Sequence, residues 1–458
     1  MLNRKLHWWI LLGILVGAVA GTALNRVYYP EIASEARIAV FHGESFTAAD
    51  EAASMKAIQT EERRLFRENR WGGLVDGLAR IFLTLLKMVV LPLVFASLVS
   101  GIVGLGDSRK LGRIGGKALA WYLTTSLVAI LTGLGLVNLI RPGEGVSLML
   151  PTSGSAPTVP QSVWEVVINM IPSNVVAAAA DFKLIQVLFF AILFAVFTLA
   201  VSEDRRRPIA AIFDSVFEIM MRMTMFIISL APVGIAALIT SLVAVTGPAI
   251  FTSLFGYAGT VAAALAFHFL VTLPALFYLI TRRNPYRVLR AMSPALFTAF
   301  STASSSGTLP VTLERVENGV GVSNRISSFV LPIGATINMD GTALYECVAV
   351  IFVSQLYAAA NPAFTLTLGA QVMIVFLALM VSIGAAGIPH AGLVMMVIIF
   401  KAIGVPIELA GVLWAVDRPL DMCRTMVNVT SDTLGAAAIA HTEGELDPTV
   451  LFGKPVAG

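Results

Sequence analysis

The sequence predicts an all-α membrane protein that crosses the bilayer many times. Of its 458 residues, 57% are hydrophobic and only 13% charged, and a single soluble core could not hide so much apolar surface beneath so few polar groups. Apolar runs such as residues 81–105 and 261–280 have the length, roughly 20 residues, that crosses a hydrocarbon layer about 30 Å thick. Basic residues gather in short loops between such runs.

The first span, about residues 7–25, follows Arg4 and Lys5. Its basic start and the small residues Ala18, Ala20 and Gly21 also suit a cleaved signal peptide; the reading adopted is an uncleaved helix. Residues 26–75 are polar, with nearly balanced charge, and read as an external insertion. Within it, ESFTAADEAASMKAIQTEERRLF suits a surface helix supported by i,i+4 acid-base pairs. Further spans are expected at about 76–106, 113–140, 163–201, 209–245 and 250–281. The third and fourth of these exceed one crossing, and Pro172 and Pro232 mark breaks within them. Residues 143–160, rich in Gly, Ser and Pro, form an external linker.

Arg4 and Lys5 precede the first span, and Arg109, Lys110 and Arg113, then Arg205 to Arg207, then Arg282, Arg283, Arg287 and Arg290 follow every second span after it. That is the positive-inside pattern, so these loops and the N-terminus are expected in the cytoplasm. A net charge of +3 is too small to suggest nucleic acid. Cys347 and Cys423 both fall in apolar segments, which excludes a secreted disulfide framework.

The last third changes character, because polar residues appear inside stretches long enough to be buried in the bilayer. Ser305-Ser306-Gly307-Thr308-Leu309-Pro310 is echoed by Ala385-Ala386-Gly387-Ile388-Pro389, each breaking an apolar segment. After the first comes TINMDGT (336–342) and after the second TMVNVTSDT (425–433), with Thr, Asn and Asp in the same order. Paired, broken hydrophobic segments point to a transporter's midplane binding site.

Asp340, Glu346, Asp417, Asp421, Arg424 and Asp432 lie in or near these segments. Each costs about 2.5–3.5 kcal/mol at the bilayer centre, so they must face a protein interior or a water-filled path. At 100° per residue, Asp417, Asp421, Arg424, Thr425, Asn428 and Asp432 share one helix face, a ligand-binding stripe rather than a set of internal ion pairs. Arg424 offers a planar fork for a carboxylate. Asp421 suits an α-ammonium, and a plain dicarboxylate would leave it without a cation. In TINMDGT, Thr336, Asn338, Asp340 and Thr342 supply oxygens for a hard cation, and Gly341 is expected to let the helix unwind there. The serines at 304–306 end a broken half-helix, with free N–H groups suited to an anion.

With NMDGT at 338–342, SSSGTLP at 304–310, SIGAAGIPHAG at 382–392 and DMCRTMVNVTSD at 421–432, the chain resembles the glutamate transporter family, the dicarboxylate/amino acid:cation symporters. The resemblance covers nearly everything outside residues 26–75. It implies eight membrane helices, two re-entrant hairpins (about 287–320 and 366–402), inverted repeats, and a homotrimer in the inner (plasma) membrane that moves substrate by an elevator motion. Residues 1–284 would then be mainly scaffold and trimerisation helices, the third and sixth helices going with the transport domain. The transport core would be 285–440, holding both hairpins and the last two membrane helices, and 441–458 a cytoplasmic tail. Carried to matching positions, Ser305, Thr342, Ile388, Gly392, Asp421, Arg424, Thr425 and Asn428 would hold substrate. One sodium site would use Gly334, Asn338, Asn428 and Asp432; a second Thr336, Ser382, Ile383 and Ala385 through main-chain oxygens; a third Tyr122, Thr125, Ser126, Asn338 and Asp340. Where acidic-substrate members carry another arginine this chain has Ala303 and Met422, with Arg418 a substitute one turn before.

The expected activity is secondary active uptake of acidic amino acids, aspartate or glutamate, with sodium as a transported ion. Alternatives are a proton- or sodium-coupled C4-dicarboxylate carrier and a neutral amino acid carrier. Glu346 is the candidate proton carrier, since its LYECVAV setting disfavours the charged form. An intramembrane protease fits poorly: His268 and His390 stand isolated in sequence, and no G-x-S-x-G elbow is present. No enzyme activity is expected.

Overall fold

The computed structural model describes residues 6–27, 30–32, 34–35, 61, 64–66, 68–103, 111–144, 168, 171–181, 183–246, 248, 250–361, 364–383, 390–406 and 409–452. Among them the chain is helical throughout, apart from turns and one isolated bridge between Val322 and Leu446. Most of the 26–75 insertion, including most of its expected surface helix, lies outside the described residues.

Helix α1 (Leu6–Val27) is followed by α2 (Arg70–Val103), which runs through Pro92. A π turn, Leu111–Gly115, leads into α3 (Gly116–Ile140). The expected 163–201 span, with its break at Pro172, holds α4 (Val175–Ala180) and α5 (Leu184–Ala200), which are parted again at Asp181 and Lys183. Asn174 starts α4 by accepting the N–H groups of Val176 and Ala177, and Pro172 lies in irregular chain just ahead of that cap. Helices α6 (Glu203–Ser229) and α7 (Ala231–Thr246) meet at a bend of 55°. Pro232, at the start of α7, has no N–H with which to continue the ladder, so this break falls where the sequence placed it. Then α8 (Ile250–Phe267), a π turn at His268–Thr272 and α9 (Leu273–Thr281) form one long rod.

The first hairpin is α10 (Pro285–Ala291), α11 (Ser293–Thr302) and α12 (Ser305–Arg315), turning at Ala303 with φ 51°. After it come α13 (Asn324–Ile337) and α14 (Asp340–Ala360). The second pair is α15 (Leu368–Ile383) and α16 (Ala391–Ala402), whose connection at 384–389 lies outside the described residues. The chain ends in α17 (Ala410–Glu443) and α18 (Pro448–Phe452).

Two packings organise these elements. Helix α1 lies on α7 through Gly13, Gly17 and Gly21, where an added Cβ would come within 2.4, 2.6 and 2.7 Å of Pro232 O, Ala236 O and Val243 Cβ. Small residues at this spacing let two backbones approach closely, the usual basis of helix pairing in lipid. Helix α14 is the centre of the other half: Asn338 to Tyr357 are all buried, surrounded by α3, α8, α15, α16 and α17. Apolar side chains such as Leu131, Phe197, Phe255 and Phe297 remain exposed on the outside, a surface suited to lipid.

Among the described residues, Arg113–Ile140, Ile250–Thr281 and Asn324–Ala359 qualify as membrane crossings by length and composition, and the bent α6–α7 pair makes a fourth. Two physical reasons keep other described helices out of that set. Helix α17 carries Asp417, Asp421, Arg424 and Asp432 along its length, and α5 and α15 are short apolar helices, of 17 and 16 residues.

Candidate functional site

The site is built on a break in the chain. Helix α13 ends at Ile337, Asn338 (φ −90°, ψ 87°) and Met339 (φ −115°, ψ 53°) leave the helical region, and α14 restarts at Asp340. The unwinding thus falls ahead of Gly341, not at it. Gly341 is helical and is needed for space, because a Cβ would lie 2.5 Å from Arg424 O.

Side chains from three helices converge on the break. Asn338 Nδ2 donates to Asp432 Oδ1 and to Ser431 Oγ, both at 2.9 Å. Asp340 Oδ1 accepts from Ser126 Oγ at 2.6 Å and Thr125 Oγ1 at 3.1 Å, and Thr125 Oγ1 lies 3.5 Å from Asn338 Oδ1. Tyr122 donates to Val330 O at 2.8 Å. Gly334 closes the floor: a Cβ there would be 2.3 Å from Asp432 Oδ1 and 3.2 Å from Tyr122 Oη. The structure therefore brings Gly334, Asn338 and Asp432 together, and Tyr122, Thr125, Ser126 and Asp340 beside them. Among the described residues neither carboxylate is bonded to an arginine or lysine, and the surrounding oxygens suit a hard cation.

Other predicted cation ligands are placed differently. Asn428 Oδ1 accepts from Gly341 N at 2.8 Å and its Nδ2 faces Thr342 Oγ1 at 3.3 Å, on the other side of the break. Thr336 and Ser382 donate to carbonyls of their own helices, Ile333 and Leu379, both at 3.0 Å, with Ile383 ending α15. Helices α13 and α15 pack together, but no hydrogen bond joins Thr336 to Ser382 among the described residues. Ala385 and Ile388 lie outside those residues.

Arg424 is the largest fully buried side chain, 1% exposed. Its Nη2 donates to Asp421 Oδ1 at 2.7 Å and to Asp417 Oδ1 at 3.0 Å. The guanidinium lies over the Tyr345 ring, 3.7 Å from its centroid, a cation–π contact in a dry setting. Among the described residues, its Nε and Nη1 have no hydrogen-bond partner. Gly392 leaves room beside them, since a Cβ would come within 2.8 Å of Nη1 and 3.0 Å of Thr342 Cγ2. Thr425 donates to Asp421 O at 2.9 Å. Ser305 is the buried first residue of α12, which packs on α17, and Ser304 caps that start by accepting from Gly307 N at 3.0 Å. Glu346 is completely buried, and neither carboxyl oxygen has a partner among the described residues.

Two expectations need correction. The histidines isolated in sequence are not isolated in space: His268 Nε2 lies 3.4 Å from Asp340 Oδ2, and His390 Nδ1 lies 2.5 Å from Asp417 Oδ2. Each meets an aspartate distant in sequence, which one-helix spacing could not reveal. Asp421 also has cations before any ligand arrives, namely Arg424 and, at 3.7 Å, Arg418 Nη1. Asp417, two turns before Arg424 on the same face, was legible as a neighbour; Tyr345 carried no signal beyond its place next to Glu346.

The profile of the sodium:dicarboxylate symporter family matches residues 6–442. This chain belongs to that family. Among its relatives, excitatory amino acid transporter 4 of Mus musculus is 35% identical over 82% of this chain and 80% of its own length. The proton/glutamate-aspartate symporter of Escherichia coli (strain K12) is 33% identical over 80% of this chain and 85% of its own. Excitatory amino acid transporter 3 of Homo sapiens is 34% identical over 78% and 77%. Symporter membership and the apolar helices together make the chain a multi-pass membrane protein. In this symporter the end of α17 is tied to α3: Lys117 Nζ donates to Glu443 at 2.5 Å, and Arg113 also pairs with that carboxylate. The Lys117 hydrogen bond, with Arg113 beside it, holds the Glu443 carboxyl below the usual range.

Proposed function

We propose that this symporter takes up acidic amino acids, aspartate or glutamate, together with sodium. The observation that carries the reading is Arg424: a buried guanidinium with Nε and Nη1 unpartnered among the described residues, whose remaining bonds go to Asp417 and Asp421. An amino acid with an acidic side chain can exchange that internal pairing for two. Its ammonium takes Asp421, and its side-chain carboxylate takes the fork of Arg424. A C4-dicarboxylate taking Arg424 would leave Asp421 less compensated, and a neutral amino acid would leave the guanidinium unpaired, both costly in a buried site. The names of the mouse, human and bacterial relatives support the same substrate class.

Sodium is the transported cation of this reading. Gly334, Asn338 and Asp432 serve one ion and Tyr122, Thr125, Ser126, Asn338 and Asp340 another; Thr336, Ser382, Ile383 and Ala385 serve a third, and Asn428 contributes near the substrate, with Ser305, Thr342, Ile388, Gly392 and Thr425. Glu346 carries a proton. The chain works as a homotrimer in the inner (plasma) membrane, with eight spans and two hairpins, both termini cytoplasmic. Residues 285–440, with the third and sixth spans, ride as an elevator against a scaffold formed by the other spans of 1–284. Radiolabelled uptake into proteoliposomes, with sodium, proton and potassium gradients imposed one at a time, tests the reading. Aspartate or glutamate accumulation that requires an inward sodium gradient is the expected result; accumulation of succinate but neither amino acid refutes it.

A further inference from the structure

A cavity of about 280 Å³ lies between α3, α9 and α17, and no substrate residue lines it. Its walls are Ala120 and Trp121 of α3, Leu276 and Ile280 of α9, and Ala438 and Ile439 of α17. Ala120 and Ile280 are exposed, so the cavity opens onto the apolar outside of the molecule.

The cavity is charged at one end only. Lys117 lines that end, together with Ile280 near the close of α9 and Thr442 near the close of α17. Thr125 lines the other end, eight residues along α3, a length of about 12 Å. Around the charged end, Arg113 and Lys117 share the one carboxylate of Glu443, and Arg282 and Arg283 follow Ile280 directly after α9. Glu445, the next acid, pairs with Arg325. Among the described residues the rim thus has more positive than negative charge, above an apolar shaft.

The inner end belongs to the back of the cation site. Thr125 Oγ1 donates to Asp340 Oδ1 at 3.1 Å, and Trp121 Nε1 donates to Ser431 O at 3.1 Å. Trp121 also lies flush on α17, since a Cβ at Gly435 would come within 2.6 Å of its ring. Whatever fills the shaft therefore presses on the two α3 residues that meet α17 and Asp340.

We infer that this cavity binds an anionic phospholipid: one acyl chain in the shaft, its phosphate on Arg113 and Lys117, and that the bound lipid strengthens the cation site behind Trp121 and Thr125. A polar rim over an apolar shaft matches an amphiphile standing along the helices. On the proposed orientation the rim lies at the cytoplasmic face, where basic residues attract acidic lipids. Arg113, with 76% of its side chain exposed, is placed to meet a phosphate from outside. Spread over about 12 Å, the volume admits one flexible chain but not an α-helix, about 10–12 Å across with its side chains. A helix of a second copy is therefore the poorer occupant.

The coupling to sodium rests on the placement of a cation at Asp340, and the test keeps the two apart. Purified protein is placed in nanodiscs of phosphatidylcholine alone or mixed with phosphatidylglycerol. Two quantities are read: the lipid that stays with the protein, identified by native mass spectrometry, and sodium affinity without substrate. The wild type should retain phosphatidylglycerol in preference to phosphatidylcholine. It should also bind sodium at least about fivefold more tightly in the mixed lipid, the low end of ordinary coupling between sites. Ala120→Phe, which fills the shaft from α3, should lose both the retained lipid and the sodium effect; Ile280→Trp fills it from α9 and stands in should the first variant fail to fold. Arg113→Gln should lose the preference for phosphatidylglycerol. Equal retention by wild type and filled variants, or no preference in the wild type, overturns the inference. So does equal sodium affinity of the wild type in the two lipids, or a sodium effect reproduced by inorganic phosphate in phosphatidylcholine, which marks a site for a free anion. Should the wild type bind no sodium in either lipid, the cation reading fails instead, and lipid retention alone decides the cavity.

Discussion

Replacing Gly334 with alanine sets two effects against each other. In a helix interior the change gains about 0.8–1 kcal/mol of propensity, so α13 itself should not weaken. The new Cβ, however, would stand 2.3 Å from Asp432 Oδ1 and 2.7 Å from its Cγ. To reach ordinary contact at 3.4 Å the oxygen must retreat by about 1.1 Å. Asp432 cannot retreat freely, since it is 3% exposed and Oδ1 accepts from Asn338 Nδ2 at 2.9 Å. A shift of that size breaks the bond and misplaces a cation ligand well beyond the roughly 0.5 Å that a preorganised site tolerates. Sodium affinity should fall by about 10- to 100-fold, the loss typical when a metal site's support is disturbed, with little change in thermal stability without sodium. The assay is a sodium titration of substrate-free protein, with Asp432→Asn as the companion variant expected to weaken sodium in the same way. Wild-type sodium affinity in Gly334→Ala would refute the placement of a cation against Asp432.

Other outcomes follow from the same geometry. Arg424→Cys should lower aspartate affinity by at least about a hundredfold, since a lost buried partner costs about 3–5 kcal/mol, while admitting a small neutral amino acid such as serine; competition uptake with both substrates checks it. Glu346→Gln should leave substrate exchange intact and remove a component of the pH dependence of net uptake, read between about pH 5 and 8. The Glu443 carboxyl is held below its ordinary value of 4.5 by Lys117 and Arg113. Its contribution to stability is therefore present above that value and lost as pH falls through the lowered one. Thermal midpoints of wild type and Glu443→Gln should differ at neutral pH and converge in acid; a constant gap would contradict the pairing.

Helix periodicity made much of this legible. Asp417, Asp421, Arg424, Thr425, Asn428 and Asp432 share a face because 3.6-residue spacing puts them there, and all six are buried. Likewise, polar residues in an apolar stretch announced the break at TINMDGT, although its place was set by Asn338 and Met339 while Gly341 answers to the backbone of Arg424. What stayed hidden was pairing between elements. His390 meets Asp417 across 27 residues and His268 meets Asp340 across 72, and no local pattern encodes contacts made only when separate helices pack. The split between α4 and α5 was missed differently: it falls at Asp181 and Lys183, two charged residues in an otherwise apolar run, whereas the sequence reading placed its break only at Pro172.

The two asparagines at the break work in opposite directions. Asn338 reaches from the break to Asp432 on α17, and Asn428 reaches back from α17 to the Gly341 N–H on α14. On the proposed reading, the cation side and the substrate side are thereby stitched to each other's helix, so filling one side strains or relieves the bond that shapes the other. Thermodynamic linkage makes that influence symmetrical: whatever factor sodium lends to the affinity for substrate, substrate lends to the affinity for sodium, about 5- to 150-fold for a coupling of 1–3 kcal/mol. Such a carrier resists half-loaded states from both ends, and a concentration gradient of either ligand becomes a means of concentrating the other.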